Sequence, residues 1–167
     1  MRMGQSYGSF NTLSIITQTA RFKAAVITGV VLHPDLATDY LRSIGYYEQG
    51  QGNMGGSLWQ YRDRYIANSP LFAFDRIQTP VLMAQGERDG DLTPSDAIFA
   101  ALKRLGKAVE YRLYRGEGHV LTQRPNVMDF WNRRLSFLQE TLDLVYDEEG
   151  KVVFDGARAR SSRGARR

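Results

Sequence analysis

Ser6 lies near the start of the chain in the stretch Gly4-Gln5-Ser6-Tyr7-Gly8, which fits the pattern G-x-S-x-G. This pattern is typical of a sharp turn between a strand and a helix that presents a serine hydroxyl as a nucleophile. A serine hydroxyl needs a neighbouring base to take its proton, and that base needs a carboxylate to orient it. A nucleophilic role for Ser6 therefore requires a histidine and an acid elsewhere in the chain.

An acid and a histidine follow Ser6 in the order Ser, Asp, His that is typical of α/β sheets carrying this turn. Asp89 comes soon after the apolar run PVLMAQG (80–86), and His119 comes after the alternating run AVEYRLYRG (108–116). Both runs are predicted strands, and the functional groups of such sheets lie on loops after the carboxyl ends of the strands. The sequence therefore predicts that the three side chains meet at one edge of a sheet.

Each of these candidates has an alternative interpretation. Asp91 lies two residues after Asp89, and an Asp in this loop can instead form the turn or cap the next helix. His33 also follows a predicted strand, but it precedes the acid in the chain, and Pro34 beside it favours a turn. His119 can be an ordinary histidine of a surface loop. From the residues alone, Asp89 and Asp91 both stay open as the acid.

Strands and helices alternate along the chain, which predicts a parallel sheet with helices on its faces. The fold class is therefore α/β. Residues 34–78 are rich in Tyr and Gly and interrupt the alternation, so we expect short helices joined by a flexible loop there. The predicted strands lie at 23–31, 80–86 and 108–116, and the predicted helices at 8–20, 93–106 and 127–145.

The hydrophobic pattern also predicts local details of these elements. In the strand at 108–116, Val109, Tyr111 and Leu113 alternate with Glu110, Arg112 and Tyr114, and the first set is expected to face the core. Thr93 suits the N-cap of the second helix, with Pro94 at its first position. A stripe of apolar residues in the last helix is expected to pack on the sheet: Val127, Trp131, Leu135, Leu138, Leu142 and Val145.

An aromatic cluster lies within residues 34–78. Such side chains can line a pocket for a substrate side chain, or they can pack the segment onto the rest of the domain. We expect packing for most of them, and no specificity pocket is assigned. The members are Tyr46, Tyr47, Trp59, Tyr61 and Tyr65.

Positive charge is concentrated at the C-terminus. The net charge is +4 at pH 7, yet residues 151–167 hold six Lys and Arg against one acid, so the other 150 residues carry −1. We predict a domain at 1–146, followed at 147–167 by an extension and a disordered basic tail; residues 145–156 can form either a small hairpin or an extension around the turn residues 147–150. We expect that tail to be solvated and do not expect a nucleic-acid partner.

Composition excludes several other kinds of chemistry. The chain has no cysteine, which rules out disulfides, thiolate metal sites and a cysteine nucleophile. It has two histidines and no H-E-x-x-H motif, so no catalytic zinc site is expected. No apolar run is long enough to span a bilayer, so no membrane partner is expected. No basic stretch followed by an apolar run follows Met1, so these residues are not expected to act as a secretory signal; the compartment stays open, with the cytoplasm favoured.

Over most of residues 3–142, the sequence resembles the catalytic α/β-hydrolase domain of the prolyl oligopeptidase family of serine peptidases. The resemblance rests on three stretches, 4–26, 65–119 and 129–142, in family order and at near-family spacing. Two further motifs stand within it: GERDGDL at 86–92 fits the family pattern G-x-x-D-x-x-[VL], and GEGH stands at 116–119. Acylaminoacyl-peptidases and dipeptidyl-peptidase-like members are the most similar.

The resemblance implies a role for each matching residue. Ser6 matches the nucleophile, Asp89 the acid and His119 the base, which favours Asp89 over Asp91. The backbone N–H of Tyr7 matches a donor of the oxyanion hole. The family usually has S-Y-G-G where this chain has a serine at position 9. No metal or organic cofactor is implied, and the implied substrate is a peptide or acyl-peptide.

The resemblance also implies that the chain is the C-terminal portion of a mainly parallel sheet with helices on both faces. Family members carry further strands of this sheet, and usually a β-propeller, before the serine. Residues 1–3 can then form only the end of the strand that leads into Ser6. The second oxyanion donor is expected upstream, so we expect an active parent and a weak or inactive piece.

Two other functions stay open. An esterase or related acyl hydrolase can use the same three residues, because fold and site do not separate esters from peptides. The chain can also be a non-catalytic remnant that acts through binding, for example through its basic tail.

Overall fold

The computed structural model describes residues 1–142, 145–146, 149 and 151–153. Four strands in this part of the chain form one parallel sheet in the order β1-β2-β3-β4. Because the strands all run in one direction, their carboxyl ends lie at the same edge of the sheet. The strands are β1 (Arg2–Gln5), β2 (Ala25–Thr28), β3 (Val81–Gly86) and β4 (Val109–Tyr114).

Helices connect these strands in the order that the sequence predicts. The helix that follows β1 leads to β2, and another joins β3 to β4. After the last helix, β5 (Val145–Tyr146) pairs antiparallel with β6 (Val152–Val153), which agrees with the hairpin interpretation. The α-helices of the described residues are α1 (Tyr7–Ile16), α2 (Leu36–Asp39), α3 (Ile44–Glu48), α4 (Arg62–Ala67), α5 (Thr93–Arg104) and α6 (Arg124–Leu142), with 3₁₀ helices at Tyr40–Arg42 and Pro70–Arg76.

Hydrophobic clusters lie on both faces of the sheet. Every residue of β3 is buried, and successive side chains of a strand point to opposite faces. Met83 packs in a cluster with Leu13 of α1 and Leu102 of α5, whereas Leu82 packs in another cluster with Phe137 of α6. Helices therefore cover both faces of a parallel sheet, and the predicted α/β class is confirmed.

The predicted inward face of β4 is correct for Val109 and Tyr111, which pack against the cluster that contains Met83, but wrong for Leu113. Leu113 is 45% exposed, whereas Tyr114 is buried and its hydroxyl donates to the Asp129 carboxylate at 2.8 Å. The Tyr114 ring also packs edge-on against Phe130 of α6. A tyrosine buries its ring readily when its hydroxyl has a polar partner, so Tyr114 is buried on the α6 face of the sheet, opposite the face on which Val109 and Tyr111 pack.

The predicted apolar stripe of α6 is only partly buried. Trp131 and Leu135 are 50% and 52% exposed, and Phe137, which the stripe omits, is the buried residue of this helix. Leu138 and Leu142 do pack beside Phe137. The predicted stripe therefore contacts the cluster on the sheet through Leu138 and Leu142, whereas Trp131 and Leu135 are about half exposed. The helix ends at Leu142, and residues 143–144 lie outside the described residues.

Residues 34–78 pack onto the domain through an aromatic cluster beside α1. Tyr47 and Tyr65 are fully buried there, and Tyr7 and Phe10 of α1 pack against the same cluster. Trp59 is 75% exposed and touches the cluster only by an edge contact to another ring. The packing interpretation therefore holds for the buried tyrosines and not for Trp59.

The predicted basic tail lies outside the described residues from 154 onward, and the domain boundary at 146 stays a prediction.

Among the helices that the structure describes, none combines the length and the apolar character needed to cross a bilayer.

We predict that Leu102→Ala lowers the free energy of unfolding by about 2–5 kcal/mol, because it leaves a cavity under α5. Leu105→Ala at the end of the same helix is the matched control, since Leu105 is 44% exposed, and its effect should stay within about 0.5 kcal/mol. Urea unfolding followed by circular dichroism measures both. Equal losses in the two variants would contradict the described packing of α5.

Candidate active site

Ser6 occupies a strained turn between β1 and α1. Its backbone has φ 57° and ψ −127°, a conformation that residues with a side chain rarely adopt. The Ser6 N–H donates to the Thr28 carbonyl at the end of β2, and the Ser6 side chain makes no capping bond to α1. Strain of this kind costs on the order of 1–3 kcal/mol and is found mainly at functional sites. The turn therefore leaves the hydroxyl available at the carboxyl edge of the sheet.

The two glycines of the G-x-S-x-G pattern do not contribute equally to this turn. A Cβ atom on Gly4 would lie 1.9 Å from the carbonyl oxygen of Gly8, whereas a Cβ on Gly8 would meet nothing within 4 Å. The close approach to the Gly8 carbonyl therefore requires a glycine at position 4, whereas position 8 has room for a side chain. Ser9 adds to the close packing, because its buried hydroxyl donates to the Thr28 carbonyl at 2.7 Å and accepts from the Thr28 N–H.

Asp89 and His119 lie in direct contact. The Nδ1 atom of His119 lies 2.9 Å from Oδ1 and 3.0 Å from Oδ2 of Asp89. The Asp89 side chain is 9% exposed and the His119 side chain 41% exposed, so the carboxylate is sheltered while the imidazole reaches solvent. An Nδ1–H that donates to Asp89 leaves the lone pair on Nε2, the nitrogen that would act as a base.

The loop after β2 connects the surroundings of Ser6 and His119. Thr28 accepts the Ser6 N–H, and the next residue, Gly29, lies against the imidazole. A Cβ on Gly29, where φ is +56°, would lie 3.1 Å from Cε1 of His119. On the other side, the Gln5 side chain donates to the His119 carbonyl at 3.3 Å. The two predicted residues therefore share neighbours at one edge of the sheet.

Tyr7 is the first residue of α1. The first N–H groups of a helix have no carbonyl partner within the helix, and the helix dipole favours negative charge at this end. The Tyr7 N–H is therefore chemically suited to bind an oxyanion that develops next to Ser6. The Tyr7 ring points into the aromatic cluster, where it stacks on Phe10.

Asp91 is engaged elsewhere. Its carboxylate accepts from both the N–H and the hydroxyl of Thr93 and forms an ion pair with Arg42. The hydrogen bond from the Thr93 hydroxyl contributes most, and the bond from Arg42 next, to holding the pKa of Asp91 well below its usual value. The structure therefore gives Asp91 the capping role that the sequence left open. It also corrects the predicted N-cap, because Thr93 begins α5 and Leu92 occupies the cap position.

His33 forms a local turn, as Pro34 suggested. Its Nδ1 atom lies 3.1 Å from the N–H of Asp35, and Asp35 caps α2 by accepting from the Ala37 N–H. In the described residues, no group of three or more His, Cys, Asp or Glu side chains is arranged to hold a metal ion.

Glu117 holds the loop that carries His119. Its side chain is buried and accepts from the backbone N–H groups of Thr122 and Gln123 and from the Asn126 amide, each at 2.8–2.9 Å. Hydrogen bonds led by the Thr122 N–H lower the pKa of Glu117. The carboxylate thus fixes the loop to the start of α6. Sequence reasoning assigned Glu117 no structural role of its own, although an acid two residues before a candidate base was a usable signal.

An apolar groove of about 480 Å³ lies between β1 and α6 and extends to His119. Met3 and Trp131 line it, and both are substantially exposed. Among the described strands, β1 lies at the edge of the sheet, since it is hydrogen-bonded to β2 on one side and to no strand on the other. The groove and this free edge are adjacent.

Comparison with known proteins gives concordant matches. A sequence profile of the prolyl oligopeptidase family matches residues 1–144. The chain is 30% identical to dipeptidyl peptidase family member 6 of Caenorhabditis elegans, over 84% of this chain and 20% of that protein. A puromycin-hydrolysing peptidase of Mycobacterium tuberculosis superimposes with a TM-score of 0.72 at 30% identity, over 84% of this chain and 21% of that one. An acylaminoacyl peptidase of Pyrococcus horikoshii shares the fold, with a TM-score of 0.70 at 22% identity over 87% of this chain and 24% of that one.

The parallel sheet covered by helices, together with these neighbours, defines an α/β-hydrolase-type fold. Within that class, the chain belongs to the prolyl oligopeptidase family. It spans about a fifth of the length of the relatives that it matches.

We predict that Gly4→Ala destabilises the fold by about 1–3 kcal/mol, because the new methyl group collides with the Gly8 carbonyl. Gly8→Ala is the matched control and should be neutral or stabilising by up to about 1 kcal/mol, since Gly8 lies in α1 with open space around it. Urea denaturation compares the two variants. A Gly4→Ala protein as stable as Gly8→Ala would contradict the close approach in the turn.

We predict that the stability added by Glu117 depends on pH. Because the folded-state pKa of Glu117 is lowered, its contribution is present above the unfolded value of about 4.3 and is lost as the pH falls through the folded value. Wild-type protein should therefore exceed Glu117→Gln in stability at pH 7, and the difference should shrink towards pH 3. Glu140→Gln, an exposed change on α6, is the control. A difference that stays constant across this range would overturn the role given to the carboxylate.

Proposed function

We propose that this chain is the catalytic segment of a serine peptidase, with Ser6 as nucleophile, His119 as base and Asp89 as the acid that orients it. The observation that carries this proposal is the 2.9 Å contact between His119 Nδ1 and Asp89 at the sheet edge where the Ser6 turn lies. A serine, an imidazole and a carboxylate in this arrangement are the groups needed to transfer an acyl group.

The proposed reaction proceeds in two steps. Ser6 Oγ attacks the carbonyl carbon of the peptide bond, and His119 Nε2 takes the hydroxyl proton while the Tyr7 N–H donates to the developing oxyanion. His119 then returns the proton to the leaving amine as the C–N bond breaks, which leaves an ester on Ser6. In the second step, His119 takes a proton from water, which attacks the ester and releases the acid while Ser6 regains its proton.

The relatives favour a peptide or acyl-peptide as substrate over a simple ester. The similar proteins include a dipeptidyl peptidase family member and a puromycin-hydrolysing peptidase, both at 30% identity. The chemistry proposed for Ser6, His119 and Asp89 needs neither a metal nor an organic cofactor.

We further propose that the parent protein supplies more strands of the same sheet, and a β-propeller before them. Three observations support this proposal. One edge of β1 has no neighbouring strand among the described residues, and Met3 and Trp131 beside it are exposed. The chain also spans only about a fifth of the length of its relative. On this proposal the second oxyanion donor comes from the upstream part. Since loss of one such donor costs about 10²–10³ in rate, the chain alone should turn substrate over slowly.

A fluorophosphonate probe, which reacts with activated serines, tests the proposed nucleophile. We expect mass spectrometry to find the probe on Ser6 and to find none on Ser6→Ala. His119→Ala should lower the labelling rate by about 10² or more, because a general base contributes at least that factor. His33→Ala is the matched histidine control and should label like the wild type, since His33 only forms a turn.

Labelling at another residue, or equal rates for His119→Ala and His33→Ala, would contradict the assignment. Absence of labelling in a folded sample would favour the non-catalytic alternative. A matched amide and ester of one acyl group, offered to the parent protein, then separates a peptidase from an esterase.

A further inference from the structure

Gln85 is a buried polar residue within the otherwise apolar strand β3. Its side chain is only 1% exposed, next to the apolar residues Met83 and Ala84. A primary amide that leaves water loses hydrogen bonds, so a buried one is retained only where the protein replaces them. The contacts of Gln85 therefore indicate why a polar side chain is placed here.

Among the residues that the structure describes, the hydrogen bonds of this amide go to Val30 and Asp89. Its Oε1 atom accepts from the Val30 N–H at 2.7 Å. Its Nε2 atom donates to Asp89 Oδ2 at 2.7 Å and to the Val30 carbonyl at 3.3 Å. Gln85 therefore joins the acid loop after β3 to the loop after β2.

These partners allow only one orientation of the amide. The Val30 N–H is a donor and requires Oε1, whereas the Asp89 carboxylate is an acceptor and requires Nε2. A flipped amide would place oxygen against the carboxylate and NH₂ against a backbone N–H. The backbone of Val30 thus fixes which end of Gln85 faces Asp89.

The Asp89 carboxylate needs such a contact, because the terminal torsion of an aspartate is broad and has no single preferred angle. Among the described residues, the hydrogen bonds of this carboxylate go to Gln85 and to His119. Gln85 is therefore the contact, other than the imidazole itself, that can hold the carboxylate in place.

We propose that Gln85 is a positioning residue, which fixes the Asp89 carboxylate in the orientation that receives the Nδ1–H of His119. This inference rests on the proposed function of Asp89 and His119. Gln85 is itself buried and bonds to Asp89 rather than to the imidazole, so it is not placed to contact a substrate. Its effect on the reaction runs through the imidazole, which is held in the tautomer that leaves Nε2 able to accept a proton.

The test replaces Gln85 with methionine, which has a similar length but no donor. Two readouts are followed: the NMR resonance of the His119 Nδ1 proton and the rate at which a fluorophosphonate labels Ser6. A ring proton held by a carboxylate is protected from exchange, and the chain has only two histidines, which makes assignment through a His33 variant direct. Thr79→Val is the matched control, because it removes a buried hydroxyl that donates to the Phe22 carbonyl before β3 begins.

We expect Q85M to broaden or abolish the Nδ1 resonance and to slow labelling by about 10- to 100-fold, the range expected for a small misplacement of a catalytic group. T79V should retain both, even if it loses similar stability. A folded Q85M protein with the wild-type resonance and rate overturns the inference while leaving the proposed function intact. If wild-type Ser6 is not labelled, the proposed function fails, and the resonance still decides whether Gln85 positions Asp89.

A second variant covers the case in which Q85M does not fold. Q85E preserves the size of the side chain and the acceptor for the Val30 N–H, but it places a second carboxyl group against Asp89. Two carboxyl groups in contact share a proton, so an extra ionisation should appear in the pH dependence of labelling or of the Nδ1 resonance. A Q85E profile identical to that of T79V would overturn the inference.

Discussion

The arrangement of the candidate site depends on a close backbone contact between the loops that follow β3 and β4. A Cβ on Gly86 would lie 2.1 Å from the Gly118 carbonyl oxygen, so only glycine permits this approach. The contact is reinforced by the Arg88 N–H, which donates to the Glu117 carbonyl at 2.8 Å. Because Asp89 follows the first loop segment and His119 the second, this contact brings the acid and the imidazole within hydrogen-bond distance.

Buried polar side chains surround this contact on both sides. Glu117 fixes the histidine loop to α6, and Gln85 joins the acid loop to Val30. Ser9 performs a similar role for the nucleophile turn through Thr28. Each of these groups is hydrogen-bonded, as most buried polar groups are, and each has at least one backbone partner. The partly exposed imidazole therefore lies next to loops that buried hydrogen bonds hold together.

Much of the fold was predictable because its signals are local. The apolar run of β3 and the helix that follows it gave the alternation, and parallel strands then required a shared functional edge. The pairing of Asp89 rather than Asp91 with the histidine could not be derived from spacing alone, since both lie in one loop. The structure distinguishes them because the Asp91 carboxylate is hydrogen-bonded to Thr93 and ion-paired with Arg42.

Other features were not predictable from the sequence pattern, for identifiable reasons. Tyr114 looked polar in an alternating strand, but its partner Asp129 lies on α6, far along the chain. The spacing of α6 did not reveal which of several apolar faces meets the sheet, and Trp131 proved exposed. Both Gly4 and Gly8 fit the turn motif, and only the three-dimensional contact shows that the first is the one required.

We propose that Ser6, His119 and the Tyr7 N–H act on one reacting group. A crystal structure of the chain after reaction with a fluorophosphonate tests this directly. We predict phosphorus bonded to Ser6 Oγ, with Nε2 of His119 and the Tyr7 N–H each within about 3.2 Å of an oxygen of the adduct. An adduct on Ser6 with the imidazole turned away from it and still paired with Asp89, or an adduct on a different residue, would contradict the account.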